Sequence, residues 1–180
     1  MPTYIITGAP GTGKTSLINE LNTRGYIGLE EVPRKLLKDK VAEKMGISPF
    51  KNLKEFANLV FDKMFEQVRS IPDNDKIYFL DRGLPDVFAY LQNSNIPIPN
   101  KYYTQLKMCK FNKLVFVCTP WENIYINDPE RPYPFDETVE LHKQLVLIYE
   151  KLNFNIVELP KGSLPQRADF IELKLKENNL

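Results

Sequence analysis

Eight residues near the amino end, Gly8-Ala9-Pro10-Gly11-Thr12-Gly13-Lys14-Thr15, set two glycines with four residues between them ahead of a lysine and a hydroxyl. Those types at that spacing suit a polyphosphate. A tight Gly-rich turn aims successive backbone N–H groups at dense negative charge with no Cβ in the way. Lys14 reaches the β/γ-phosphates, and Thr15 offers its hydroxyl to Mg²⁺. Ser16 continues into a helix whose positive end faces the phosphates. Ala9, Pro10, Gly11 and Thr12 complete the contact surface.

A second chemical signal is Asp81, which terminates the apolar run Ile77-Tyr78-Phe79-Leu80. Beside a phosphate loop, a carboxylate at a buried strand end holds the metal or one of its waters, so Thr15 and Asp81 are the expected Mg²⁺ partners. A third is the acidic pair Glu30-Glu31 with Arg34, placed where a short strand, Tyr26 to Leu29, gives way to a helix beyond Pro33. Such junctions are where α/β sheets bind ligands.

The elements that must position these residues are legible around them. Pro2 to Thr7 reads as a buried strand running into the loop. Leu17, Ile18 and Leu21 recur at helical spacing, and Arg24-Gly25 supplies the stop. Leu36, Leu37 and Val41 share one face of the next expected helix. Ser48-Pro49 is a start signal for a long helix carrying Leu53, Ala57, Val60, Met64 and Val68. Phe50, Phe56, Phe61 and Phe65 add aromatic bulk there, expected as core packing rather than as a wall for a flat ring. A helix from Pro85 to about Leu91, an extended loop at Ile96-Pro97-Ile98-Pro99 and a helix from Tyr102 to Lys110 come next. Leu114 to Thr119 is a further strand, and the proline-rich stretch Trp121 to Phe135 is an expected flap. Val139, Leu141, Leu145, Ile148 and Leu152 restore a helix. Phe154 to Leu159 is the last strand, and Ser163-Leu164-Pro165-Gln166 opens the terminal helix as a capping box. Alternating apolar strands and helices make the class α/β, a three-layer α/β/α with a parallel sheet.

With 180 residues and 43% hydrophobic content, one sizeable core and a single domain over 1–180 are expected. The balance of 24 basic and 23 acidic residues gives no pull toward nucleic acid. Apolar runs are too short for membrane insertion, and the chain opens on a strand without a charged-then-apolar leader, so a cytoplasmic location is expected. Cys109 and Cys118 lack metal-ligand spacing and read as core residues. His142, without a Cys or His partner, reads as a helix residue.

Only six arginines occur. Arg24 and Arg69 close helices. Arg34, Arg82, Arg131 and Arg167 fall at strand ends, in the flap and in the turn after the last strand, where guanidinium groups suit a phosphate cage.

Taken together, the chain resembles the small AAA-type ATPase/kinase-like proteins of the P-loop superfamily, relatives of nucleoside, nucleotide and nicotinamide riboside kinases. The resemblance spans nearly the whole length. It is carried by Tyr4 to Thr15, by Glu31-Val32-Pro33-Arg34, by Phe79-Leu80-Asp81-Arg82-Gly83-Leu84-Pro85-Asp86 and by Asp128-Pro129-Glu130-Arg131-Pro132. It implies a five-stranded sheet of order 2-3-1-4-5, a metal and phosphate role for Asp81-Arg82, a lid holding Arg131 and an acceptor facing Glu31. One departure matters: ring ATPases carry Glu after the strand-terminal Asp to polarise water, and this chain has Arg82.

The expected activity is phosphoryl transfer from Mg·ATP to a small nucleoside- or nucleotide-like acceptor, in a monomer or homodimer. The sequence does not separate ATP from GTP, and base contacts are expected near Lys161 to Leu164. Lys14, Asp81, Arg82, Arg131 and Glu31 form the expected catalytic set, Gly8 to Ser16 with Arg131 the nucleotide site, and Glu31, Arg34 and Arg82 the acceptor site. The competing readings are a nucleotide-dependent switch and a plain NTPase.

Overall fold

Every second residue along each central strand faces the same layer of helices, and that alternation builds the molecule. A computed structural model describes residues 3–47, 51–125 and 134–178. In chain order the strands are β1 (Thr3–Thr7), β2 (Ile27–Leu29), β3 (Tyr78–Asp81), β4 (Leu114–Cys118) and β5 (Asn155–Leu159). All pairings are parallel, in the order β2-β3-β1-β4-β5. The helices are α1 (Lys14–Thr23), α2 (Val32–Lys38), α3 (Val41–Lys44), α4 (Leu53–Arg69), α5 (Leu84–Asn93), α6 (Asn100–Lys107), α7 (Phe135–Lys151) and α8 (Leu164–Glu177). The expected α/β class and strand order are both present.

Tyr4, Ile6, Phe79, Phe116 and Cys118 point to one face, where Leu17, Ile18 and Leu21 of α1 meet Ala168 and Ile171 of α8. Ile5, Leu80, Val115 and Val117 point to the other, against Tyr149 of α7. Beyond it α4, α5, α6 and α7 share a core in which Phe61 stacks on Tyr102 with ring centroids 3.6 Å apart. A sheet buried on both faces needs apolar residues on both, which is why these strands read as continuous apolar runs. Among the described residues no helix is long and apolar enough to cross a membrane.

Two expectations are adjusted, and two fall partly outside the described residues. The helix beyond Pro33 ends at Lys38, and Lys40 turns left-handed (φ 53°) before the short α3, so Leu37 stays half exposed instead of sharing a buried face. The start signal Ser48-Pro49 and Phe50 lie outside the described residues, and α4 begins at Leu53 behind Asn52. Of the expected flap, Trp121–Tyr125 carries one 3-10 turn (Glu122–Ile124) and α7 starts at Phe135. Asp128, Glu130 and Arg131 lie outside the described residues. Arg167 sits in the first turns of α8 and is buried, not in a preceding turn. The Ser163 capping box is present, with Ser163 and Gln166 exchanging hydrogen bonds.

Candidate active site

The loop between β1 and α1 is held open. Gly8 adopts φ 142°, and a Cβ there would lie 2.4 Å from the Cys118 carbonyl, so only glycine lets the loop rest on the end of β4. Gly13 turns left-handed (φ 78°) to start α1. The Ala9 carbonyl accepts from Thr12 Oγ1 and from Lys14 Nζ, each at 2.9 Å, which fixes the turn from inside. Among the described residues, the backbone N–H groups of Gly11 and Gly13 donate to no protein acceptor. Unpaired amides in a concave turn are suited to take an anion. Lys14 is buried, and its pKa falls to about 8, first through burial and then through the charge of Arg82.

Beside the loop, Thr15 Oγ1 donates to Asp81 Oδ2 at 2.7 Å. Asp81 is buried, and its other oxygen, Oδ1, has no hydrogen-bond partner. Burial, with Glu31 nearby, pushes its pKa up. A buried carboxylate oxygen left unpaired is costly unless a ligand satisfies it. A hydroxyl and a carboxylate with a spare oxygen form the partial set of hard donors that Mg²⁺ takes when phosphates supply the rest. The residues present fit that ion.

At the other end, Arg82 ends the β3 turn in a left-handed conformation (φ 75°), a strained position for a branched-off side chain. Its side chain is buried. Nε donates to Glu31 Oε1 at 2.8 Å, and Nη1 donates to the Gly8 carbonyl at 3.1 Å and to Asp86 Oδ1 at 3.2 Å. Arg34 Nε lies 3.7 Å from Glu31 Oε2. Burial alone would raise Glu31, but the charges of Arg82, Lys14 and Arg34 outweigh it and hold the carboxyl down at about 2. Asp86, to which the sequence reading gave no role, is the hub behind this pair. It accepts from Thr7 Oγ1 (2.7 Å), the Gly83 backbone N–H (3.0 Å) and Tyr149 Oη, as well as from Arg82. Its spacing was the available signal: Arg82 and Asp86 are one helical turn apart, and Asp86 is the third residue of α5.

One cavity of about 1030 Å³ joins these parts. The glycine-rich loop, Trp121, Ile124 and Gly162–Leu164 line part of it. Glu31, Arg34 and Arg82 also line it, and Leu53, Phe56, Val60 and Met64 of α4 with Val87 and Tyr90 of α5 supply an apolar wall. Phe56 therefore serves both core and cavity, whereas Phe61 is core alone and Phe65 only packs against it. The Tyr125 ring covers Gly11, with a Cβ at that glycine falling 2.8 Å from the ring. Lys14, Thr15, Ser16, Glu31, Arg34, Asp81 and Arg82 are thus brought together, and Arg131 alone of the expected site residues lies outside the described chain.

A five-stranded parallel sheet of this order, with an open glycine-rich loop between its central strand and the first helix, defines the P-loop NTPase fold. The family model described as an AAA domain matches residues 3–167, and the chain belongs to that family. A sequence search of curated proteins gives no match. Among solved structures, the chain is similar to a NadR protein in complex with NR (TM-score 0.71, 19% identity). That alignment covers 98% of this chain and 51% of that one, so the chain spans about half the length of NadR. It is also similar to deoxyadenosine kinase from M. mycoides with products dCMP and dCDP bound (TM-score 0.65, 15% identity, 97% and 99% covered). A third is thymidylate kinase from Ehrlichia chaffeensis (TM-score 0.64, 14% identity, 99% and 98% covered). At these identities the likeness establishes the fold.

Proposed function

We propose that this chain is a phosphotransferase that moves the γ-phosphoryl group of Mg·ATP, or of Mg·GTP, to a hydroxyl of a small nucleoside- or nucleotide-like acceptor. The observation that carries this reading is one cavity shared by Gly11 and Gly13 of the open loop, the Glu31–Arg82 pair and an apolar wall. Its volume of about 1030 Å³ gives room for a donor and an acceptor together.

Lys14 leaves the Ala9 carbonyl for the β/γ-phosphates, and the loop amides hold the remaining oxygens. Thr15 and Asp81 hold Mg²⁺, which would neutralise charge on the β- and γ-phosphates. The acceptor oxygen forms its bond to the γ-phosphorus as the bond to the β,γ-bridging oxygen breaks, and ADP leaves. Glu31, held at about 2, is too weak a base to strip a free hydroxyl in advance. It orients that hydroxyl by accepting its hydrogen bond, and the proton departs along that bond as the new P–O bond forms. Arg82 fixes Glu31 to the Gly8 carbonyl beside the reacting phosphate, and Arg131 of the flap stabilises the transferring charge. The apolar wall of α4 takes the acceptor's ring and keeps water from it. Arg82 after Asp81 leaves no carboxylate there to polarise water, which favours transfer over hydrolysis.

The test is ADP release from Mg·ATP with and without a panel of nucleosides and nucleoside monophosphates, the compound classes named with the structural neighbours. Stimulation by one acceptor of tenfold or more supports the kinase. Slow turnover indifferent to every acceptor favours a nucleotide switch, and fast acceptor-free turnover a plain NTPase.

A further inference from the structure

Arg167 is a buried cation without a counter-charge. Only 4% of it is exposed, yet no carboxylate lies within ion-pair distance of it among the described residues. Its partners are neutral: Nη1 donates to the Thr12 carbonyl at 3.2 Å and Nη2 to Cys118 Sγ at 2.8 Å. Nε is buried and has no partner at all. Among the described residues the other buried guanidinium, Arg82, touches two carboxylates, and Arg24, at the surface, touches three. A buried charge held only by neutral groups is costly to the fold, and chains keep one where a ligand brings the opposite charge.

The position says which ligand. Arg167 lines the main cavity together with Gly13, Gly162, Ser163 and Leu164. Nη1 lies 3.0 Å from where a Cβ on Gly13 would sit. Through the Thr12 carbonyl the guanidinium also pulls on the peptide whose other end is the Gly13 N–H, one of the unpaired loop amides, and makes it a stronger donor. Lys14 serves the inner end of a bound triphosphate, which leaves the sugar-proximal phosphate beside Gly13 for Arg167.

We propose that Arg167 is a nucleotide-positioning residue, outside the phosphate-loop pattern, that holds the sugar-proximal phosphate of the donor both directly and by polarising the Thr12–Gly13 peptide. This rests on the nucleotide-binding reading above. It is tested with Arg167→Met and Arg167→Lys by titrating Mg·ATP and, separately, inorganic tripolyphosphate, and by measuring the thermal midpoint of each ligand-free protein. Arg167→Met is expected to bind both ligands at least tenfold more weakly while its ligand-free midpoint stays level or rises. Arg167→Lys, which keeps charge but loses the planar fork, falls between. A structural brace predicts the reverse, with a lower ligand-free midpoint or failure to fold and unaltered affinity in Arg167→Lys. That result overturns the proposal, as does a loss confined to ATP with tripolyphosphate unaffected. Wild-type protein that binds neither ligand would instead remove the nucleotide reading itself, and this inference with it.

Discussion

Arg82 Nε and Glu31 Oε1 lie 2.8 Å apart, and this ion pair ties the turn after β3 to the N-cap of α2 within the cavity. Both partners are buried or nearly so, which makes the pair visible in the pH dependence of stability. Glu31 sits at about 2 in the fold against an ordinary value of 4.5. A depressed carboxyl stabilises the fold above its unfolded pKa, and that contribution is lost as pH falls from about 4.5 through about 2. The expected contribution is on the order of 3 kcal/mol. Urea unfolding at pH 7, 4 and 3 should show the wild type losing more stability across this window than Glu31→Gln. Parallel losses in the two proteins would contradict the pairing.

Lys14 gives a pH dependence of the opposite sense. With its pKa lowered to about 8, it is partly neutral at mildly alkaline pH, and a triphosphate beside it favours the ammonium form. Binding therefore takes up a proton, and nucleotide affinity falls as pH rises above about 8, by at most about tenfold per unit. Calorimetric titrations at pH 7, 8 and 9 in two buffers of different ionisation heat check both statements. Affinity that is flat over this range would contradict them.

Asp86 receives four hydrogen bonds in the interior, from Thr7, Arg82, Gly83 and Tyr149. Removing it leaves a buried guanidinium and two hydroxyls short of a partner, so Asp86→Ala is expected to cost about 3–5 kcal/mol in denaturant unfolding. A loss under about 1 kcal/mol would mean the hub does not organise the site.

What the sequence made legible followed from short-range rules. The loop, its strand and helix, the Ser163 capping box and the apolar strands each carry their own local signature, and the strand order came with the family resemblance. The cluster around Asp86 left no such trace, because it joins residues up to 79 positions apart and only the parallel sheet brings them together. Arg167 shows the same limit: on the chain it stands near a turn, and only the packing of α8 against α1 buries it against Thr12 and Cys118. The break at Lys40 was missed because a left-handed lysine has no residue-type signal, unlike a glycine.

Thr15 and Asp81 should govern the metal dependence. Burial raises the Asp81 pKa, so its charge costs the nucleotide-free fold something that Mg²⁺ recovers. Asp81→Asn is expected to keep or raise the ligand-free thermal midpoint while abolishing the increase in nucleotide affinity that Mg²⁺ brings, and Thr15→Val should weaken it. Nucleotide titrations with Mg²⁺ and with EDTA decide this, and a retained Mg²⁺ effect in Asp81→Asn would place the metal elsewhere.

The most direct measurement is a calorimetric titration of the wild type and of Lys14→Ala with Mg·ATP at pH 7. The account predicts saturable binding of one nucleotide per wild-type chain and at least a tenfold loss in Lys14→Ala. No binding by the wild type, or the same affinity in both proteins, would contradict a loop that grips a triphosphate.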